Sequence, residues 1–331
     1  MASRAGARTV EHRTSPPPMT VLPSCPRVLF IAGLGRSGTT LVERLLGQIE
    51  GVQTLGETVH LWVRGIQRDE TCGCGLAFHE CPFWKQIGDT AFGGWSQVDV
   101  DAVLAMHNHV DRLRRVPGVV THPGAEVRRY AGMFRSIYEA AQQASRAKLI
   151  VDSSKHPSMA YCLRTQSNNL DLRVVHVVRD PRAVAYSWAK TVERPEAGVE
   201  DMFMSTYTPA RAAALWDAEN VAVTGLGRLG VPVMRLHYED LVADPSGEVR
   251  RLLDFAGMPA DVPIPIEGHR ATLRPNHTVS GNPLRFHNGE LDIRRDDEWL
   301  TRLGSRDRRV VSAMTAPLRL AYGRRGPATN R

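Results

Sequence analysis

The chain has 331 residues, 42% of them hydrophobic, enough for one large core or a core with a modest cap. Its 42 Lys and Arg against 35 Asp and Glu give a formal charge of +7, which favours anionic ligands, while the dispersal of the basic residues and an aromatic content of only 6% argue against an RNA-stacking surface. No run approaches the roughly 18 to 20 apolar residues of a membrane helix, which excludes a transmembrane anchor, and five cysteines at this length exclude a small disulfide scaffold and suit a reducing, cytoplasmic setting.

Residues 1–26 mix Arg, Ser, Thr and Pro without the apolar centre of a secretory signal and read as a flexible tail, with an Arg-rich organellar leader as the other reading. The apolar run 26–34 predicts a first strand buried on both faces. From Thr40 onward Leu41, Val42, Leu45, Leu46 and Ile49 recur at helical spacing, with Glu43, Arg44 and Gln48 on the other side. A second strand is expected to end at Leu55-Gly-Glu57, followed by a largely helical insertion over 60–145 on the acceptor side. Runs at 148–152, 172–178 and 231–236 predict further parallel strands, and helical patterns are expected around 103–116, 125–147, 181–191, 208–226 and 246–256. The stretch 259–285 is rich in Pro, Gly, Asn and His and predicts a long lid-like loop. A helical segment over 296–322 precedes a basic tail at 323–331. The alternation predicts one α/β domain over 27–322.

The turn Gly33-Leu-Gly-Arg-Ser-Gly-Thr-Thr40 lies between strand and helix, where free backbone N–H groups and the positive helix end form an anion cradle. Gly33 and Gly38 match the glycines of a nucleotide-hydrolysing P-loop, but Thr39 stands where its lysine belongs, which argues against an ATPase or GTPase. Arg36 instead puts a cation inside the turn, close to the oxygens of a bound anion. The segment Arg-Ser-Gly-Thr-Thr resembles the 5′-phosphosulfate loop of the PAPS-dependent sulfotransferase superfamily. That resemblance implies a P-loop-like three-layer fold with a central, mostly parallel sheet flanked by helices. It implies 3′-phosphoadenosine 5′-phosphosulfate (PAPS) as co-substrate, 3′-phosphoadenosine 5′-phosphate as product, and a small-molecule, glycan or lipid acceptor. It further implies Arg36, Ser37, Gly38, Thr39 and Thr40 as the phosphosulfate contacts.

Downstream, Asp180 is a natural N-cap and Pro181 a natural first helical residue, so a helix starts directly after Arg179. Ser187 follows Arg179 by eight positions, about two helical turns, a spacing that lets both converge on one anion. This pair resembles the family's 3′-phosphate motif. The segment from Leu236 to Pro245 resembles the one beside the adenine, which implies Tyr238. His277-Thr-Val-Ser-Gly-Asn-Pro-Leu-Arg285 resembles the late segment that covers the nucleotide in bacterial relatives, implying Ser280, Gly281, Asn282 and Arg285 as contacts within a covering loop over 259–290. The Arg-Lys-Gly element of the cytosolic animal enzymes is absent from the sequence.

Sulfuryl transfer needs an in-line nucleophile, a base for its proton and cations on the oxygens that gain charge. Glu57, 21 positions after Arg36, resembles the glutamate base of the tyrosylprotein and carbohydrate branches. The cytosolic small-molecule enzymes use a histidine after a later strand, a role open to His156 in Asp152-Ser-Ser-Lys-His156. Glu57 is the preferred base, because Lys155 already accounts for the later segment as a cation for the sulfuryl oxygens. Cys72-Gly-Cys74, His79 and Cys81 leave metal, local disulfide and free thiols open. The single residue between the first cysteines is tighter than the roughly two to four of zinc sites, and the chemistry needs no metal, so none is assigned. Trp62, Phe78, Phe83, Trp84 and Trp95 suit an apolar acceptor pocket or core packing equally. Two other classes share parts of this pattern: a P-loop kinase or NTPase, and a basic nucleic-acid-binding protein.

Overall fold

Five short runs of aliphatic and β-branched residues build the central sheet: β1 (Arg27–Ala32), β2 (Val52–Thr54), β3 (Leu149–Lys155), β4 (Asp171–Val178) and β5 (Val233–His237). Their order is β2-β3-β1-β4-β5, and every neighbouring pair is parallel. The computed structural model describes residues 25–193 and 203–323, so the tails expected at 1–26 and 323–331 fall almost wholly outside the described residues. Successive side chains of a strand point to opposite faces, and β1 divides accordingly. Val28 and Phe30 enter one core with Trp62, Phe134 and Tyr138, whereas Leu29 and Ile31 enter another with Val42, Leu45 and Leu252. Helices therefore cover both faces, which makes a three-layer α/β fold and explains why β1 is continuously apolar.

The helix after the first turn, Thr39–Leu46, has no solvent face. Glu43, Arg44 and Gln48, assigned by their spacing to the side opposite the apolar residues, are buried as well. Each finds partners there: Arg44 donates through its terminal nitrogens to the carbonyls of Arg274 and His287, Glu43 accepts from the Gly56 N–H and the Ser153 hydroxyl, and Gln48 donates to the Arg44 carbonyl. The groups that bury Arg44 and Gln48 come from the far end of the chain. The expected loop over 259–285 contains β6 (Ile266–Glu267) and β7 (Arg270–Leu273), and β7 pairs antiparallel with both β6 and β8 (Gly289–Asp292). Ala271 and Leu273 point inward while Arg270 and Thr272 are exposed, an alternation too short to stand out among the surrounding prolines and glycines. The C-terminal helical segment is three short helices, Trp299–Arg302, Ser305–Met314 and Ala316–Ala321.

Beyond β7 the chain returns to the edge of the large sheet. The Val279 N–H donates to the Leu55 carbonyl at 2.8 Å, and the Glu57 N–H donates to the Val279 carbonyl at 2.9 Å. Gly56, between them, has φ +83° and lies so close that a Cβ would meet the Val279 oxygen at 2.3 Å. Gly56→Ala combines left-handed strain with a backbone clash and is expected to cost roughly 2 to 4 kcal/mol. Chemical denaturation measures this, and an unchanged midpoint would show that the pairing contributes nothing.

Between β2 and β3 run the wide-turn helix Leu61–Gln67 and the helices Pro82–Phe92, Val100–Val110, Val116–Thr121 and Ala125–Ser145. Trp62, Phe78, Trp84 and Trp95 are buried among them, with the Phe78 ring stacked 5.3 Å from Trp84. They are core, as is expected of large rings with each other as partners, and none lines the cavity at the carboxyl ends of the strands. No described helix is long and apolar enough to cross a membrane.

Candidate active site

A cavity of about 730 Å³ opens past the carboxyl ends of β1, β3 and β4, where ligands of parallel α/β sheets bind. Gly38, in the left-handed region at φ 92°, caps the helix Thr39–Leu46. The first helical bond runs from the Val42 N–H to the Gly38 carbonyl, which leaves the N–H groups of the first turn without helical partners. Arg36 is itself left-handed, at φ 72°. So are Lys155 at 70° and Ser280 at 56°, a strain of about 1 to 2 kcal/mol per residue that collects at functional sites.

The Arg36 guanidinium lies 5.4 Å from the Trp188 ring, and its Nε and Nη2 are buried without a hydrogen-bond partner among the described residues. Burial lowers its pKa, and the charge of Glu57 opposes that shift. Buried donors are almost always satisfied, so this pair defines a place for an anionic acceptor. Thr39 and Thr40 line the same cavity; Ser37 does not, and its N–H donates to the Leu34 carbonyl.

Arg179 is nearly buried at the end of β4 and reaches across to the first turn. Its Nη1 donates to the Arg36 carbonyl at 3.1 Å, its Nη2 donates to Asp296 Oδ2 at 2.9 Å, and its plane lies 4.5 Å from the Tyr238 ring. Ser187 lines the cavity from the helix Pro181–Ala189, whose start is capped by the Asp180 carboxylate accepting from the Arg182 N–H. The two groups of residues singled out in the sequence thus share one site. The late segment is divided. Gly281 and Asn282 line the cavity, but Ser280 Oγ accepts from Arg64 at 2.6 Å, and buried Arg285 donates to the carbonyls of Thr278 and Thr71. Ser280 and Arg285 are thus engaged within the protein and do not line the cavity.

Glu57 is buried on the opposite wall. Lys155 Nζ donates to its Oε1, and His60 Nε2 lies 3.6 Å from its Oε2. Burial pushes the Glu57 carboxyl up, but the neighbouring cations, Lys155 foremost, outweigh it and hold the pKa at about 2. His60 is driven down to about 3, chiefly by burial, so its ring is neutral. His156 also lines the cavity, with Nδ1 3.8 Å from Asp111 Oδ2. Burial pushes the His156 imidazole down, but its interaction with the neighbouring Asp111 carboxylate outweighs it and leaves its pKa raised. Asp111 is buried and held in turn by Tyr130 and Ser158.

Several cavity residues escape a reading of the sequence. His60 and Arg64 follow Glu57 by three and seven positions, a helical spacing that was there to be seen. Glu219, on the helix Pro209–Gly227, and Asp296 carry no such signal. The Glu219 carboxyl is pushed up to about 7 by burial, against the pull of His156 and Lys155. The cysteine cluster gains a fourth member. Cys72, Cys74 and Cys81 meet His277, with all four ligand atoms within 4.8 Å of one another. His79 turns aside to the Ile66 carbonyl, 2.9 Å away. A complete set of metal-ligating groups thus exists where none was assigned, because its fourth member lies 196 residues beyond Cys81.

A family model described as a sulfotransferase domain matches residues 26–275. Among solved structures, the chain is similar to the sulfotransferase domain from the Synechococcus PCC 7002 olefin synthase, with 23% identity, 71% of this chain and 74% of that chain covered, and a TM-score of 0.37. The sulfotransferase domain from the curacin biosynthetic pathway gives 17% identity, 88% and 98% coverage, and a TM-score of 0.47. Sulfotransferase STF1 from Mycobacterium tuberculosis H37Rv gives 16%, 71% and 68%, and 0.39. No curated protein matches the sequence.

Proposed function

The chain belongs to the sulfotransferase domain family, and from that premise we propose that it transfers a sulfuryl group from PAPS to a hydroxyl or amine acceptor by in-line displacement. The observation that carries this reading is the Arg36 guanidinium, buried with two nitrogens unmatched at the mouth of a helix N-terminus. Arg36 and the first-turn N–H groups of Thr39 and Thr40 would hold the 5′-phosphosulfate. Arg179 and Ser187 would hold the 3′-phosphate, for which Arg179 must exchange Asp296 as its partner. Tyr238 packs against the Arg179 guanidinium and would carry the body of the nucleotide. Gly281 and Asn282 would close the cavity over it. The cavity volume of about 730 Å³ lies within the roughly 300 to 1,000 Å³ of small-molecule sites.

PAPS supplies an activated sulfuryl group on a phosphate leaving group. The chain supplies charge and a proton acceptor. In the resting site Lys155 is held by Glu57. Sulfuryl oxygens offer the ammonium a second acceptor, and as Lys155 turns to them the burial of Glu57 is less countered, so its carboxylate becomes more basic where a base is required. The acceptor O–H proton then passes to Glu57, and Arg36 and Lys155 face the oxygens that gain charge. The acceptor end is polar, with His60, His156 and Glu219 in its wall. Small-molecule, glycan and lipid hydroxyls all fit that chemistry.

Calorimetric titration with 3′-phosphoadenosine 5′-phosphate tests the reading, and saturable binding by the wild-type chain is expected. Arg179→Ala should weaken it about tenfold to a hundredfold, the worth of a charge-assisted hydrogen bond, while adenosine 5′-phosphosulfate, which lacks the 3′-phosphate, should bind both forms alike. A chain that ignores the bisphosphate, or transfers no label from PAPS to any hydroxyl, removes the assignment.

A further inference from the structure

We propose that Cys72, Cys74, Cys81 and His277 form a structural zinc site that fastens the helical insertion to the segment covering Glu57. Geometry is the first support. A tetrahedral zinc with ordinary Zn–S and Zn–N bonds sets its sulfurs roughly 3.8 Å apart and each sulfur roughly 3.5 Å from the nitrogen. Cys74 Sγ and Cys81 Sγ are 3.8 Å apart, and Cys81 Sγ is 3.3 Å from His277 Nδ1. All four ligand atoms fit within 4.8 Å, and the cysteines are free thiols. Three thiolates and one imidazole select a soft, tetrahedral ion over magnesium or calcium, and four protein ligands leave no open position for catalysis.

The surroundings hold these ligands in place. The Cys72 N–H donates to the Leu76 carbonyl at 2.8 Å and the Gly75 N–H to the Cys72 carbonyl at 2.9 Å, which ties both cysteines of the first pair into one tight turn. Gly73, between them, donates to the Thr278 carbonyl, and a Cβ there would fall 2.0 Å from Asn276 Oδ1. A one-residue spacing is thus workable only with glycine. The His277 ring stacks 4.9 Å from Phe83, and its carbonyl accepts from the Trp84 indole at 2.8 Å. Such supporting contacts orient metal ligands.

Binding is an exchange without redox change: three thiol protons leave to solvent, three sulfurs and one neutral imidazole nitrogen donate electron pairs, and the site carries one net negative charge. Its consequence is positional. Val279, two residues after His277, forms the backbone pairing that encloses Glu57, so the metal would fix one wall of the active site from outside the cavity.

The test is the metal content of the full chain, purified without metal-affinity resin or added metal. One zinc per chain is expected. Cys81→Ser and His277→Ala should each reduce metal affinity by roughly tenfold to a hundredfold or more, whereas His79→Ala should retain the full zinc content. If the ligand variants do not fold, the wild-type chain stripped by chelator and titrated with Co²⁺ should develop thiolate charge-transfer and tetrahedral d–d bands with an end point at one equivalent. A metal-free wild-type chain lacking those bands, a Cys74–Cys81 disulfide, or an unchanged zinc affinity in Cys81→Ser would each overturn the proposal. None of these readouts depends on sulfuryl transfer.

Discussion

Arg36→Ala is expected to lower kcat/KM for PAPS by about a hundredfold to a thousandfold without lowering the thermal midpoint. The argument rests on what Arg36 does in the resting protein. Its Nε and Nη2 are buried and unmatched among the described residues, so removing them breaks no internal hydrogen bond at those atoms and relieves a desolvated charge. A group that costs stability in the free protein and serves only when an anion is present is a signature of a binding site. Arg36→Lys keeps the charge but not the planar fork, and it should recover only a small part of the loss. A variant with normal turnover would remove Arg36 from the reaction. One with a much lower midpoint would make it a structural residue instead.

What could be read from the sequence was local. β1, the glycine turn and the helix after it follow one another within a few residues, and strand, turn and helical period are each short-range signals. Arg179 and Ser187 were legible for the same reason, because Asp180 and Pro181 mark the helix start and fix the spacing behind it. The errors lie where a partner comes from far along the chain. Arg44 and Gln48 stand opposite the apolar residues of their helix, yet the segment around 274–288 covers them, and Glu43 beside them is held by Gly56 and Ser153. Ser280 and Arg285 matched a family pattern, yet Ser280 accepts from Arg64 and Arg285 donates to the carbonyls of Thr278 and Thr71, with Arg64 and Thr71 brought in by the fold. His277 joins the cysteines in the same way. Glu219 and Asp296 carry no sequence signal, since a single carboxylate on a helix or loop has an ordinary solvated reading.

The contest between Glu57 and His156 is decided by a second prediction. Glu57→Gln is expected to lower kcat by about a hundredfold to ten-thousandfold, the range for a lost general base, while binding of 3′-phosphoadenosine 5′-phosphate stays equal or tightens because Lys155 loses its resting partner. Lys155→Ala should also cost about a hundredfold, and it should move the pH dependence. In the resting wild-type chain Glu57 is held at about 2 against an ordinary 4.5, so it is charged throughout the neutral range. That lowered value also stabilises the fold above the ordinary carboxylate range, a contribution lost as pH falls from about 4.5 towards 2. Without Lys155 the burial of Glu57 is less opposed, its pKa rises, and the acid limb of kcat/KM must shift to higher pH. His156 predicts the reverse pattern. Asp111 holds its imidazole pKa above the ordinary value, so a histidine base would give activity that rises with pH through and above the usual histidine range, and His156→Asn would abolish that limb. A pH profile that keeps its shape in His156→Asn but shifts in Lys155→Ala assigns the base to Glu57. A Glu57→Gln enzyme with near-normal kcat assigns it to His156, with Asp111 as the carboxylate that orients the ring.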